Sequence, residues 1–402
     1  MNDLQISMQN HVTSSNFVPS GNGLALYVHW PFCVSKCPYC DFNSHVRDSV
    51  DMTSWRQALL ADMAHEAALL PGRTLNSIFF GGGTPSLMPP DLVAELLVQA
   101  AHHWQFADDI EITLEANPSS VEAARFAELA QAGVNRVSLG MQSFDDAQLA
   151  FLGRAHSAQE GLAALETAQR HFGRVTFDLI YALPDQSLDE WQTMLAKALA
   201  FETGHLSLYQ LTIEPNTRFA SDVRRNVFTP MDDERAADFY LATAQQTEAA
   251  GLHPYEISNY AAKGQESRHN LAYWLYHDYA GIGPGAHGRR GGMATERHKK
   301  PENYLSAIAR NGHGLKFENI LSPHDAAQEA LLMGLRLRQG VDLAAIEQRF
   351  GLTREHIIDE KALRMLTSQN ICNIDNSILK IHGDSHLLLD GILAQLLRLT
   401  PE

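Results

Sequence analysis

Between residues 24 and 211 the chain alternates short apolar, β-branched runs with longer segments whose apolar positions return every three or four residues. The runs LALYVHW (24–30), SIFF (77–80), IEITLEA (110–116), NRVSLG (135–140), VTFDLIYA (175–182) and HLSLYQL (205–211) predict six strands. Helices are predicted near 54–70, 90–103, 120–131, 158–171 and 188–200, with a further one at 232–250. Asp51 to Ser54 and Pro118 to Ser120 offer helix starts, because short polar side chains accept the orphan amide protons of a first turn. The rhythm predicts an α/β fold with a parallel sheet. Six strands favour an open barrel over a closed one; periodicity leaves strand order undetermined, so a doubly wound sheet is the alternative. Either way ligands belong at the carboxyl ends of the strands. GGGTP (81–85), Glu115, MQSF (141–144), Asp178 and Gln210 lie at or near those ends and should converge on one mouth.

From about residue 215 the rhythm breaks, and PYEISNYA and ESRHNLAYWLYHDYAGIGPGAHG intervene. Near 322 a different pattern begins. DAAQEALLMGLRLRQG, VDLAAIEQRFG and a segment around 354–365 read as three helices, and ILKI and HLLL flank HGDS as a hairpin. Together they predict a smaller winged-helix-like C-terminal domain. It has no basic recognition stripe, which favours packing or partner docking over DNA binding. The predicted division is a flexible leader (1–22), a partial barrel (23–215), a barrel extension and linking region (216–320) and the C-terminal domain (321–402).

Apolar residues make up 45% of the 402 and charged residues 19%, which describes a globular chain. No stretch approaches the roughly 18 consecutive apolar residues of a membrane helix. The first 22 residues lack a basic start followed by an apolar core, so a cytoplasmic location is expected. Lys and Arg number 31 against 47 Asp and Glu, a formal charge of −16 that repels phosphate backbones, so no nucleic-acid partner is expected. The basic run RRGGMATERHKK (289–300) reads as an exposed loop, with a local contact to an anionic group as the alternative.

Three of the four cysteines crowd into CVSKCPYC, giving Cys33, Cys37 and Cys40 in C-x3-C-x2-C spacing. Paired disulfides explain such crowding poorly, and metal ligation explains it better. The remote Cys372 reads as an ordinary semi-buried thiol. A closed zinc site needs a fourth ligand, for which His29 and His45 are the local candidates. An iron–sulfur cube also commonly takes four thiolates, so three would leave one iron open.

The full string resembles the radical S-adenosylmethionine superfamily. YVHWPFC, GGGTP, LEANP, GMQSF, LGRAH and DLIYALP also occur in the order seen in the oxygen-independent coproporphyrinogen III oxidase family, a resemblance covering roughly residues 24–390. It implies a partial (β/α)6 TIM-like barrel of radical SAM type and a 4Fe-4S cluster on the three cysteines. The cluster's fourth iron would go to the amino and carboxyl groups of S-adenosyl-L-methionine. By the same resemblance Tyr27, Gly82, Gly83, Thr84, Glu115, Gln142, Arg154 and Asp178 contact that cofactor. The implied chemistry is electron transfer from the reduced cluster, fed by an electron donor, giving methionine and a 5′-deoxyadenosyl radical.

One position departs from the oxidase pattern. The resembled oxidase has a further cysteine two places after the third ligand, where this chain has Phe42. The other branch resembled, the heme chaperones of the HemW type, has CPYCDF and an HNxxYW motif, here His269, Asn270, Tyr273 and Trp274. His269 offers a ring nitrogen to heme iron, and Tyr273 and Trp274 offer flat apolar faces to the porphyrin. His287, in GPGAHG, is the rival imidazole. The resemblance implies a protein that binds heme and transfers it to an acceptor hemoprotein, one at a membrane included, through peripheral contact. Coproporphyrinogen III oxidase activity is not expected. The alternatives are a radical SAM oxidoreductase acting on a tetrapyrrole and a cluster-containing docking protein.

Overall fold

The structure is a computed structural model that describes residues 22–47 and 49–397. Apart from Asn22, the leader expected over 1–22 lies outside the described residues. Six parallel strands follow one another as neighbours in chain order: β1 Gly23–Trp30, β2 Thr74–Gly82, β3 Gln105–Ala116, β4 Arg136–Gln142, β5 Arg174–Tyr181 and β6 His205–Gln210. The connecting helices are α1 Met52–Leu69, α2 Pro90–His103, α3 Phe126–Gln131, α4 Ala158–His171 and α5 Leu188–Leu199. This is the parallel α/β sheet that the alternating pattern predicts, in the strand order of the partial barrel that the resemblance implies.

Local chemistry explains why the helices begin where they do. Asp51 accepts from the backbone N–H of Thr53 at 3.1 Å and of Ser54 at 3.4 Å, capping α1. Ser157 with Glu160 and Ser187 with Glu190 form reciprocal capping boxes at α4 and α5. The helix predicted over 120–131 is instead split into Ser120–Ala123 and α3. At the break the Arg125 guanidinium reaches back to the carbonyl oxygens of Ser86 and Met88, at 3.4 and 3.3 Å. The main core lies between sheet and helices, with Leu26, Phe80, Leu114, Leu139 and Phe177 on the strands meeting Leu59, Leu96 and Leu165 on the helices.

The region where the rhythm breaks extends this sheet. β7 Asn259–Ala261 runs antiparallel beside β6. At the other end β8 Tyr279–Ile282 runs parallel to β1 and is a seventh parallel strand absent from the sequence-based expectation. With the short strand His253–Pro254 beside β7, β9 His287–Arg290, β10 Met293–Arg297 and β11 Leu315–Ile320 complete a sheet of twelve strands among the described residues. The run RRGGMATERHKK is therefore no solvated loop. Gly291 and Gly292, at φ 56 and 79, make the tight turn between β9 and β10.

Arg290 and Arg297 are buried because α1 presents two buried acids to them. Arg297 Nε lies 3.3 Å from Asp62 Oδ2 and its Nη2 2.6 Å from Glu66 Oε1, while Arg290 Nε lies 2.8 Å from Glu66 Oε2. Only Lys299 and Lys300 of the later charges are exposed as expected.

A second core gathers Leu331, Leu335, Ile346, Leu363, Leu379 and Ile392 from the C-terminal helices and strands, with Leu275 and Tyr276 of the preceding segment. The expected hairpin of ILKI with HLLL does not form. Ile378–Ile381 pairs instead with Cys372–Asp375 across Asn376 and Ser377, both left-handed at φ 48 and 71. The HLLL segment begins a helical end in which Leu389, Ile392, Leu393 and Leu396 are buried at helical spacing. Cys372 is fully buried in that hairpin. Among the described residues no helix is long and apolar enough to cross a membrane.

Candidate functional site

The cysteine loop leaves β1 and is pinned at its base by parallel pairing of Phe32–Cys33 with His45–Val46. Cys33, Cys37 and Cys40 open into one cavity of about 390 Å³ at the carboxyl ends of the barrel strands. Thr84 Oγ1 donates to Cys33 Sγ at 3.5 Å and Arg154 Nη1 to Cys37 Sγ at 3.4 Å. Burial pushes the Cys33 and Cys40 thiols up from their ordinary value. Among the described residues no three His, Cys, Asp or Glu side chains converge on a single-ion site.

Arg154 is held by Asn117 Oδ1 at 2.6 Å and the Gly140 carbonyl oxygen at 2.9 Å, while its buried Nε has no partner. Gly153 permits this approach: at φ 67, a Cβ there would sit 2.5 Å from the Pro38 ring of the cysteine loop. Gly82, at φ 114, likewise has the His29 ring 2.6 Å from where a Cβ would stand.

Two carboxyls form the cavity's inner wall. Glu115 accepts from the Gly82 N–H at 3.2 Å, and Ser138 Oγ donates to Asp178 at 3.3 Å. Burial, followed by repulsion from Asp178, raises Glu115 to about 8. Asp178, also shifted chiefly by burial, rises to about 6. A buried pair of acids with unspent acceptor capacity is suited to a cationic or hydroxyl-bearing ligand. Gln142 joins them from the end of β4 in a left-handed conformation, φ 66, which a glutamine rarely adopts.

Of the eight residues expected around S-adenosylmethionine, Gly82, Gly83, Thr84, Glu115, Gln142, Arg154 and Asp178 line this cavity. Tyr27 does not. It lines a second cavity of about 480 Å³, which shares Gly82, Glu115 and Phe42 with the first. Gln210, expected at the same mouth, is turned away, its Nε2 donating to the Ala236 carbonyl oxygen at 2.6 Å. Asn117 was missed as a wall residue, although it stands in the LEANP motif.

The second cavity has aromatic walls from Tyr27, Tyr273, Trp274 and Tyr279, with Met333 from the C-terminal part of the chain. Phe42, 60% exposed, stands where the two cavities meet. The HNxxYW motif lies on α6 Arg268–Trp274, which Ser267 caps by accepting from the Asn270 N–H. Tyr273 and Trp274 face the cavity. Asn270 does not line it and its side chain bonds Tyr255 instead.

His269 is buried beneath the cavity, stacked on Phe79 with ring centres 5.0 Å apart. Its Nδ1 meets Ser77 Oγ at 3.0 Å and its Nε2 meets the Tyr273 hydroxyl at 2.7 Å. Both nitrogens expected to offer themselves to an iron are thus engaged, and burial lowers the ring to about 3. His29 and His45, the candidate completions of a zinc site, are drawn to Asn43 instead. His29 Nε2 lies 2.9 Å from the Asn43 carbonyl oxygen and His45 Nε2 3.3 Å from Asn43 Oδ1. Neither lines the cysteine cavity. His287, on β9, is exposed and lines the second cavity.

The chain is similar to known proteins over most of its length. It matches the Radical SAM superfamily over residues 27–198 and the HemN C-terminal domain over residues 321–382. It is 46% identical to the heme chaperone HemW of Escherichia coli over 66% of this chain and 70% of that protein. Identity to the HemW of Haemophilus influenzae is 38%, covering 90% and 94%. The mitochondrial radical S-adenosyl methionine domain-containing protein 1 of Bos taurus is 37% identical, covering 94% and 88%. Among solved structures, the radical SAM enzyme coproporphyrinogen III oxidase (HemN) of Escherichia coli superposes with TM-score 0.80 at 23% identity. That superposition covers 93% of this chain and 89% of the other, a likeness of fold.

Proposed function

Because the chain belongs to the family of the heme chaperone HemW and the radical S-adenosyl methionine domain-containing protein 1, within the radical SAM superfamily, we propose that it binds heme and passes it to an acceptor hemoprotein. A 4Fe-4S cluster and S-adenosylmethionine are its resident cofactors in this reading. The observation that carries it is the pair of adjoining cavities: the three thiols, two carboxyls and Arg154 line one, and the aromatic faces of Tyr27, Tyr273, Trp274 and Tyr279 with the His287 imidazole line the other.

Cys33, Cys37 and Cys40 would hold the cluster through their thiolates. When bound, cluster and S-adenosylmethionine supply an open coordination site and one-electron chemistry. Arg154 offsets the thiolate charge at Cys37. Glu115 and Asp178 take the cationic and hydroxyl groups of S-adenosylmethionine. Tyr273 and Trp274 pack the porphyrin, His287 presents the imidazole to its iron, and His269 acts as a positioning residue that fixes the Tyr273 hydroxyl. In this reading residues 23–215 carry the cofactors, 216–320 supply half of the heme wall, and the C-terminal domain contributes Met333 to it. Phe42 brings no thiol where the resembled oxidase has one, which supports heme carriage over porphyrinogen oxidation.

The test pairs two measurements on anaerobically reconstituted protein. Titration should give one heme per chain, and incubation with coproporphyrinogen III, S-adenosylmethionine and reductant should give no protoporphyrinogen. His287→Ala should alter the bound-heme spectrum, while His269→Ala should leave one heme bound. Protoporphyrinogen formation, or no heme binding by the intact chain, overturns the reading.

A further inference from the structure

The turn between β9 and β10 brings three arginines close together, and two are neutralised. Arg290 pairs with Glu66 and Glu318, and Arg297 with Asp62 and Glu66. Arg289 is as buried as Arg290, 6% exposed, yet has no carboxylate partner among the described residues. Its Nη2 donates to the His277 carbonyl oxygen at 3.0 Å, its guanidinium lies 3.5 Å from the Tyr276 ring centre, and its Nε is buried with no acceptor. A buried guanidinium without an anion is costly, which makes the missing acceptor informative.

The strand explains where that missing acceptor would lie. Side chains alternate along β9, so Arg290 goes to the acids on α1 while His287 and Arg289 share the opposite face. Both line the second cavity. Trp274, on the same wall, also has a buried Nε1 with no partner. At the rim stands Lys299, its side chain 62% exposed and its amine 3.8 Å from Glu296. Arg289 and Lys299 thus bring two cations to one space whose one acid, Glu115, belongs to the wall shared with the cysteine cavity, and the two unspent donors lie buried in that wall. Such a donor-only corner calls for an acceptor-only group, and a guanidinium fork fits a carboxylate best.

The geometry points to Arg289, assisted by Trp274 Nε1 and Lys299, as the anchor for a carboxylate arm of the tetrapyrrole in the second cavity. The inference rests on the heme reading and deepens it. It fixes which edge of the ring is held: the edge bearing the carboxylates faces the β9–β10 hairpin, on the same strand face as His287. A tetrapyrrole lacking free carboxylates would have nothing to offer this corner.

The test compares heme with its dimethyl ester, each titrated anaerobically into the cluster-loaded full chain without S-adenosylmethionine, so that the two titrations differ only in the tetrapyrrole carboxylates. The intact chain should bind the ester roughly ten- to a hundredfold more weakly than heme, the range of a charge-assisted hydrogen bond. Arg289→Gln should weaken heme by a similar factor and bind heme and ester alike, while Arg289→Lys recovers part of the preference. A purely structural Arg289, clamping Tyr276 and the His277 carbonyl, would weaken both ligands equally. Lys299→Gln, at an exposed position, supplies a second variant whose folding is not at risk and should narrow the preference. Equal affinity of the intact chain for heme and ester overturns the anchor while leaving heme binding standing. Binding of neither overturns the functional reading, and the anchor falls with it.

Discussion

Replacing Glu115 with Gln should change the number of protons released when S-adenosylmethionine binds. Burial and Asp178 place the Glu115 carboxyl at about 8 in the empty cavity, so roughly ten of every eleven copies carry a proton at pH 7. A cationic ligand needs the carboxylate. Binding at pH 7 should therefore expel about 0.9 proton from this residue and give up about 1.4 kcal/mol, a tenfold loss of affinity relative to pH well above 8. Calorimetry of the cluster-loaded protein in buffers of different ionisation enthalpy reads that proton directly. Because the ligand's own amino group also moves protons, E115Q supplies the baseline. The intact chain should exceed the variant by about 0.9 proton at pH 7, by about half a proton at pH 8, and by little above pH 9. A difference below about 0.2 proton at pH 7 would refute the reasoning, because Glu115 would then be ionised before the ligand arrives or remain neutral afterwards. The same shift bears on stability. The folded value lies above the unfolded one, so between about 4.5 and about 8 the folded state holds the extra proton and the empty chain loses stability as pH rises. E115Q removes that loss and should melt higher than the parent at pH 8.

Two further outcomes follow from the geometry. Serine at Cys33, Cys37 or Cys40 should abolish retention of iron and labile sulfide after anaerobic reconstitution, whereas Cys372→Ser, buried in the C-terminal hairpin, should retain both; iron kept in any of the first three would count against the assignment. Arg297→Met leaves Asp62 buried without a cation and Glu66 with Arg290 alone and should cost about 3 to 5 kcal/mol in denaturant unfolding, with a change under about 1 kcal/mol showing that water or Arg290 had taken its place at Asp62.

The six parallel strands and their helices were legible because each carries its own signal: β-branched runs bounded by capped amphipathic segments. The carboxyl-end residues Gly82, Glu115, Gln142 and Asp178 then converge because parallel strands all end on the same side. β8 was illegible for the opposite reason. YAGI is four residues long between a polar stretch and glycines, and pairing with β1 is what makes it a strand. The buried arginines of β9 and β10 could not be told from a solvated basic run, since the acids that bury them sit on α1, more than two hundred residues earlier. The roles of Tyr27 and His269 were hidden similarly. Each sits in a recognisable motif, but Ser77, Phe79 and Tyr273 decide where their rings point.

Glu115, Gly82 and Phe42 serve two rooms at once, and a common wall makes neighbours interdependent. When an occupant of the first cavity draws the proton off Glu115, the second acquires a negative charge on one side and becomes a different solvent for whatever is held there. Any such coupling free energy must act equally in both directions, so the factor by which S-adenosylmethionine alters heme affinity is the factor by which heme alters its own. In the proposed heme-carrying role, which includes letting go, that reciprocity would make the cofactor a release signal without requiring that it be consumed.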